Sequence, residues 1–423
     1  MINHLVFILN IVLISCLGFA FIVGFYRLIQ ILLGFFKLKH FPETNKQARF
    51  AIIIPARQES NVIARVLKSI KYQVYDPSKI DVYVVCEEKD ETFDIVNSFG
   101  YTCFIRSPNE PKGKGNAMDS TIKMILNKGL KYDAYITVDA DNFLMPHFVM
   151  EMNKAFQSGI KLGMGYRNTI NKPGKWIADC SALSFSSINT FQNKARTKFG
   201  SSIMVSGTGF FIDAKIINNF GGWPFNTLTE DYQLSLWCCL NDIKSAYIPT
   251  AEFYDEQPTN LQILNKQRVR WIRGFFQTRK LYRTQMLKSI VGKSTNKFSK
   301  FDFCFCTIPN AIFLFSVFAY ILTLLGIVVF GLIATNIPLT SLFLPLQCMG
   351  FAILGFYFIL VLYTILQLLA ESRKMKFGFF NSIKIALLNP FFICLYIPHA
   401  LQALFKKEVK WAKIEHGIAK EKF

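Results

Sequence analysis

The sequence predicts an α/β fold: a central, mostly parallel sheet covered by helices, flanked by transmembrane and interfacial helices. Three observations carry that prediction. Short, wholly apolar runs such as Ala51–Ile54 alternate with helical patterns, and fully apolar strands belong to sheets covered on both faces. From Phe303 to Ala370 there is no charged residue, a stretch far longer than the ~20 residues one spanning helix needs. Ahead of the alternating region, Leu5 to Phe36 carries a single charge, Arg27.

Composition narrows the class. The 423 residues include 48 Lys and Arg against 28 Asp and Glu, a formal charge of +20, with 15% aromatic and only 18% charged residues. Such an apolar chain is not disordered. Its ten scattered cysteines show no CxxC pair, which excludes a zinc ribbon and a disulfide-stapled secreted scaffold and leaves reduced, packing thiols. Most of the positive charge falls between residues 37 and 300, a face suited to anionic lipid or nucleotide ligands; with spans this long, nucleic acid is not the expected partner.

Taken in order, Ala51–Ile54 reads as a buried strand and Asn61–Gln73 as a helix with Val62, Ile63, Val66, Leu67 and Ile70 on one face. Strands follow at Asp81–Cys86 and Tyr101–Ile105, then a helix at Asn116–Lys128, a strand at Ala134–Val138 and a helix from near Pro146. Leu5–Phe36 reads as a permanent anchor, since it lacks the basic start and the cleavage site of a signal peptide. The turn Thr335-Asn336-Ile337-Pro338 splits the uncharged stretch into a hairpin. A third apolar stretch, Ile385–Phe405, holds His399 and is broken by Pro390 and Pro398; it reads as re-entrant or interfacial. Lys37, Lys39, Arg49, Arg373, Lys374 and the tail lysines 406, 407, 410 and 413 place residues 37–302 and the tail in the cytosol, with the N-terminus outside.

The polar clusters fall where a parallel sheet binds ligands, beyond the strands' carboxyl ends. Pro55-Ala56-Arg57-Gln58-Glu59 follows the first strand, Glu87-Glu88-Lys89-Asp90 the second, and Asp139-Ala140-Asp141-Asn142 another. No GxGxxG or GxxxxGK[ST] is present, which argues against a dinucleotide site and a P-loop. Asp139 and Asp141 fall on the same side of an extended segment and are hard oxygen donors suited to Mg²⁺ or Mn²⁺ bridging a diphosphate; alone, such a pair is as well a turn or cap. Thr229-Glu230-Asp231 opens an amphipathic helix, either as a capping threonine with acids in the first turn or as a carboxylate base for an incoming hydroxyl. Lys112-Gly113-Lys114-Gly115 opens another helix in a form that suits an anion. Ser206-Gly207-Thr208-Gly209-Phe210 is a glycine-bracketed turn leading into a strand, Phe210–Asp213. Gln267-Arg268-Val269-Arg270-Trp271 lies in a basic aromatic helix: arginine grips phosphate, tryptophan stacks on sugar, or both simply ride an interface.

In this order, PARQE, KGKGNAMD, DADN, SGTGF, TED and QRVRW resemble the membrane-embedded family-two glycosyltransferases, the group of chitin, hyaluronan, cellulose and poly-N-acetylglucosamine synthases. The resemblance implies a GT-A-like nucleotide-sugar-binding domain over 37–260, an anchor over 1–36, interfacial helices with QxxRW over 261–302, a transmembrane hairpin over 303–370, and a re-entrant or spanning segment with a basic tail over 371–423. It implies that Pro55, Ala56 and Glu59 line the nucleotide base, with Glu88 or Asp90 where relatives carry an Asp-rich turn. Lys114 and Arg270 then meet the diphosphate. Asp139 and Asp141 hold Mg²⁺ or Mn²⁺, Asp231 with Glu230 beside it is the base, and Gly207, Thr208, Gly209, Gln267, Arg270 and Trp271 receive the acceptor. Trp411 to His416 resembles a C-terminal element of some relatives.

The implied reaction is inverting transfer of a sugar from a nucleotide diphosphate donor, UDP-linked by analogy, to a growing β-linked polysaccharide coupled to export at the plasma membrane. The alternative is one sugar added to a lipid acceptor. A transporter or scaffold is disfavoured, because the spans hold Arg27 and His399 but no Asp, Glu or Lys. Three or four membrane segments are few for a polymer channel, so a second copy or a small partner subunit is the expected supplement.

Overall fold

The computed structural model describes residues 2–171, 173–292, 295–305, 308–333 and 338–405. The turn at 335–337 and the basic tail with Trp411 and His416 lie outside those residues. Eight strands form one sheet: β1 (Phe50–Ala56), β2 (Ile80–Cys86), β3 (Thr102–Ile105), β4 (Ala134–Thr137), β5 (Phe143–Leu144), β6 (Leu162–Thr169), β7 (Phe210–Asp213) and β8 (Ser245–Asp255), in the order β3-β2-β1-β4-β7-β6-β8-β5. β1, β2, β3 and β4 pair in parallel, β7 lies antiparallel between β4 and β6, and β8 runs parallel to β6. The arrangement has one consequence for function. The carboxyl ends of β1, β4, β6 and β8 and the amino end of β7 all emerge at the same edge.

The apolar runs are buried as their composition dictates: every residue of β1 and β4 is buried. The helices are α1 (Ile2–Gly34), α2 (Ile63–Lys71), α3 (Glu91–Ser98), α4 (Lys114–Asn127), α5 (Phe148–Gln157), α6 (Trp176–Ser186), α7 (Lys194–Lys198), α8 (Ala214–Asn218), α9 (Glu230–Leu240), α10 (Leu261–Val291), α11 (Lys297–Phe305), α12 (Ile308–Ile333), α13 (Phe343–Met375), α14 (Phe379–Cys394) and α15 (Tyr396–Phe405). A π-helical turn, Ser187–Asn193, joins α6 to α7.

Sequence reasoning found β1 to β4 and β7 within a residue or two, but not β5, β6 or β8. β6 lacks the usual strand signal because it contains Gly163 and Gly165. A Cβ on Gly163 would stand 2.2 Å from the Phe211 ring and 2.8 Å from Ile248, so packing requires glycine where propensity disfavours it.

Four stretches are long and apolar enough to cross a membrane: Asn3–Ile22, Ala311–Ile333, Leu339–Met375 and Phe379–Phe405. α1 packs on α12 and α12 on α13, while outward side chains such as Phe7, Ile22 and Phe351 stay exposed. The last stretch is two helices, with Pro390 inside α14. Its start is bonded to the sheet-bearing part of the chain and its end to α10. Asn381 donates to Asp179 at 3.0 Å and Lys384 to the Gly174 carbonyl at 3.1 Å. Arg273 on α10 donates to the Ala403 carbonyl at 3.1 Å.

Candidate active site

A cavity of about 1190 Å³ opens at the common strand edge and continues between the apolar helices. Its polar end is assembled from strand termini and helix starts. β1 supplies Pro55 and, just beyond, Glu59; the turn after β4 supplies Asp139 and Asp141; α4 opens with Lys114; α9 opens with Glu230 and Asp231; and α10 contributes Gln267, Arg270 and Trp271.

The Asp139–Asn142 segment is a turn, not the extended stretch its spacing suggested. The Asn142 amide bonds back to the Asp139 carbonyl at 3.1 Å, and the Asp139 amide donates to Thr208 Oγ1 at 2.8 Å. Arg65 on α2 donates to the Asp141 carbonyl at 2.6 Å. Lys114 ion-pairs with Asp139 and donates to the Gly207 carbonyl at 2.9 Å. It thereby ties the carboxylate turn to the glycine loop facing Asp231. Mg²⁺ and Mn²⁺ typically take one or two carboxylates and complete their shell with water and substrate phosphate. Asp139 and Asp141 fit that donor set; among the described residues no cluster of three or more metal-ligating side chains exists.

Thr229 occupies the N-cap position of α9 but its side chain makes no capping bond; its buried hydroxyl presses on Gly274 instead. The capping role is absent, and the acids after it face the cavity. Burial pushes Glu230 up to about 7, with the neighbouring Asp231 charge adding to the rise and Lys114 and Arg270 opposing it. Asp231 is also raised, by burial first, against the Tyr232 backbone N–H and the charges of Lys114 and Arg270. The buried Nε of Arg270 has no hydrogen-bond partner among the described residues. A half-buried cation beside raised carboxyls leaves donor capacity directed at a ligand.

Other residues singled out in the sequence lie off the cavity wall. Ala56 is buried within β1. Asp90 caps α3 through Thr92, whose hydroxyl accepts from the Glu59 amide at 3.0 Å. Glu88 accepts from Gln58 at the surface. Thr208 is fully buried and braces the Asp139 turn. Gly209, at φ +67°, takes a conformation that glycine adopts without strain, and a Cβ there would meet the Phe253 ring at 2.1 Å. Of the glycine turn, therefore, Ser206 and Gly207 reach the cavity.

Three wall residues, Arg167, Asp255 and Phe185, have no counterpart in the sequence reading. Arg167, at the end of β6, ion-pairs with Asp255 at the end of β8, donates to the Ser206 carbonyl at 2.8 Å and stacks on Phe185 at 3.6 Å. Phe185 in turn meets Trp271 edge to face at 5.8 Å. A pairing between strands that share no sequence neighbourhood leaves no local signal. Arg268, within QRVRW, turns away from the cavity: it donates to the Phe392 carbonyl at 3.0 Å and stacks on Phe392 and Tyr396.

Comparison with known proteins agrees with this geometry. Residues 48–274 match the family model described as glycosyltransferase like family 2. The chain is 25% identical over 392 residues to the probable glycosyltransferase YdaM of Bacillus subtilis, covering 87% of this chain and 86% of that protein. It is 23% identical over 251 residues to a beta-monoglucosyldiacylglycerol synthase of Nostoc sp., covering 57% and 52%. Against a poly-beta-1,6-N-acetyl-D-glucosamine synthase of Staphylococcus epidermidis it is 23% identical over 227 residues, covering 53% and 54%. The chain thus spans about half the length of those last two relatives. In fold it is similar to the mannosyltransferase PcManGT of Pyrobaculum calidifontis, solved with GDP-Man and Mn²⁺, at a TM-score of 0.61 and 14% identity over 96% of this chain and all of that one. With more than half of its residues inside the family model, and with a GT-A-like sheet that positions these carboxylates and cations, the chain is a glycosyltransferase and belongs to family 2.

Proposed function

We propose that the protein transfers a sugar, with inversion, from a nucleotide diphosphate sugar to an acceptor hydroxyl presented at the membrane. The observation that carries this reading is the meeting of Asp231, Lys114 and Arg270 at one cavity end, next to the Asp139–Asp141 turn. Asp231 takes the acceptor proton as that oxygen attacks the anomeric carbon, and Glu230 beside it moderates its charge. Lys114 and Arg270 receive the diphosphate, with the unpartnered Arg270 Nε available to it. Asp139 and Asp141 would hold Mg²⁺ or Mn²⁺, which when bound offsets charge on the departing diphosphate. Pro55 and Glu59 frame the nucleoside, with Ala56, Glu88 and Asp90 shaping the loops behind them. Gln267 and Trp271 face the acceptor, and Arg167 with Phe185 steadies Trp271.

We place the catalytic domain in the cytosol, with α1, α12 and α13 crossing the plasma membrane and Phe379–Phe405 lying along its inner face, a placement supported by the bonds from the start of that stretch to Asp179 and from its end to α10. The donor is UDP-linked in this reading. The test is to supply the purified protein and Mn²⁺ with radiolabelled UDP-glucose or UDP-N-acetylglucosamine and to measure UDP released. Release that depends on Asp231 is expected. Release equal in wild type and Asp231→Asn would sink the base assignment.

A further inference from the structure

The sequence favours a polymer threaded outward, but the shape of the cavity favours another acceptor. Resting on the reading above, we infer that the acceptor is a hydroxyl-bearing lipid whose tail lies in the apolar end of the cavity. That end stops short. α12 contributes nothing to the wall beyond Phe315, α13 nothing before Phe356, and α1 nothing before Arg27. Phe315 stands about 10 Å along α12 from its start, a third of the ~30 Å hydrocarbon layer. Phe356 lies at the same depth, its ring 5.5 Å from that of Phe313. Beyond this level the bundle is packed shut. Val6, Tyr320, Leu324 and Leu342 form a buried cluster, Tyr320 donates to Asn10, and Asn10 donates to Cys348 Sγ at 3.8 Å. A sugar chain needs a continuous polar path across the layer, and among the described residues the bundle offers none.

The polar groups in the apolar end point the same way. Tyr363 is bonded to Ser187 at 2.6 Å, and the Asn389 amide nitrogen to Thr364 at 2.9 Å. Arg27 and Arg196 converge on Asp302. Three buried amide atoms at this end have no partner among the described residues: Gln367 Oε1 and Asn389 Oδ1, which accept, and Gln30 Nε2, which donates. A hydroxyl both donates and accepts, so this mixed set suits the hydroxyl-bearing end of a lipid. A base at Asp231 is needed only when the nucleophile carries a proton, as a hydroxyl does. In the step, the acceptor O–H loses its proton to Asp231, the new C1–O bond forms, and the C1–O bond to phosphate breaks with release of the nucleoside diphosphate.

The test uses the full chain in phosphatidylcholine nanodiscs carrying a diacylglycerol with a diazirine in its acyl chain. After irradiation, label is expected on peptides covering 308–315 and 356–367 at about ten times the level found on 316–333, falling about tenfold with Ala311→Trp, which fills the pocket. Excess unlabelled diacylglycerol should displace it, whereas a chito-oligosaccharide should not. Even labelling along α12, or displacement by the oligosaccharide, would overturn the inference. Donor hydrolysis in detergent without lipid separates the two proposals: turnover with even labelling removes the lipid acceptor alone, and loss of turnover with focused labelling removes the transfer chemistry alone.

Discussion

The two ends of the cavity handle polar groups in opposite ways. Beside the sheet, Glu230 is buried and Asp231 half-buried, both are raised, and the Arg270 Nε is unpartnered among the described residues. These groups sit in costly states that a bound ligand would relieve. Toward the membrane, Arg196 and Asp302 meet at 2.5 Å and Tyr363 meets Ser187 at 2.6 Å, so the charges there are spent on holding helices together, and neutral amides are what is left for a ligand. The contrast implies that substitutions at the first end cost turnover and substitutions at the second cost stability.

The sharpest way to break that comparison is Asp231→Asn. Removing a positioned base should slow transfer about 10²–10⁴-fold while leaving nucleotide binding and the unfolding midpoint largely intact. A fall in stability with turnover preserved would reverse the assignment of the two ends. At the other end, Asp302→Ala leaves Arg27 and Arg196 facing each other without the carboxylate between them, and breaking such a buried pair costs about 3–5 kcal/mol. A denaturation series on the full chain checks it, and an unchanged midpoint would show the pair to be idle.

The smallest effect concerns pH. Glu230 is held up to about 7 against an ordinary 4.5, so the folded state keeps a proton there that the unfolded chain gives up. Stability should therefore fall as pH rises from about 4.5 to 7 and stay lower above that. Glu230→Gln should flatten that slope and raise the midpoint at pH 8. An unaltered slope would mean that other groups carry it.

How far the sequence reaches depends on locality. Ile52-Ile53-Ile54 announces β1 because a fully buried strand is apolar throughout, and QRVRW announces a helix because its spacing is regular. Lys114, Asp139 and Asp231 were legible as chemistry because each sits at an element's end with a charge that folding must explain, and Arg270 because it stands inside QRVRW. Arg167 and Asp255 were not, since β6 hides behind its glycines and the partner strand is 88 residues away. Thr208 looked like part of an exposed turn, whereas its hydroxyl is consumed inside by the Asp139 amide. That exchange requires β4 and β7 to be neighbours, a fact of topology. The depth of the cavity was equally hidden, because a lipid-facing phenylalanine and a cavity-facing one are the same letter.

The contact between Glu371 on α13 and the sheet has a practical consequence. Its carboxylate takes a bond from the Tyr166 hydroxyl at 2.7 Å and another from Thr190, while the Lys374 ammonium rests 3.7 Å above the Tyr166 ring. A soluble fragment cut before α12 would strip these partners and strand two buried hydroxyls without an acceptor. The sheet-bearing part is thus tied to α13, and assays on a truncated chain should lose activity through misfolding before any question of substrate arises.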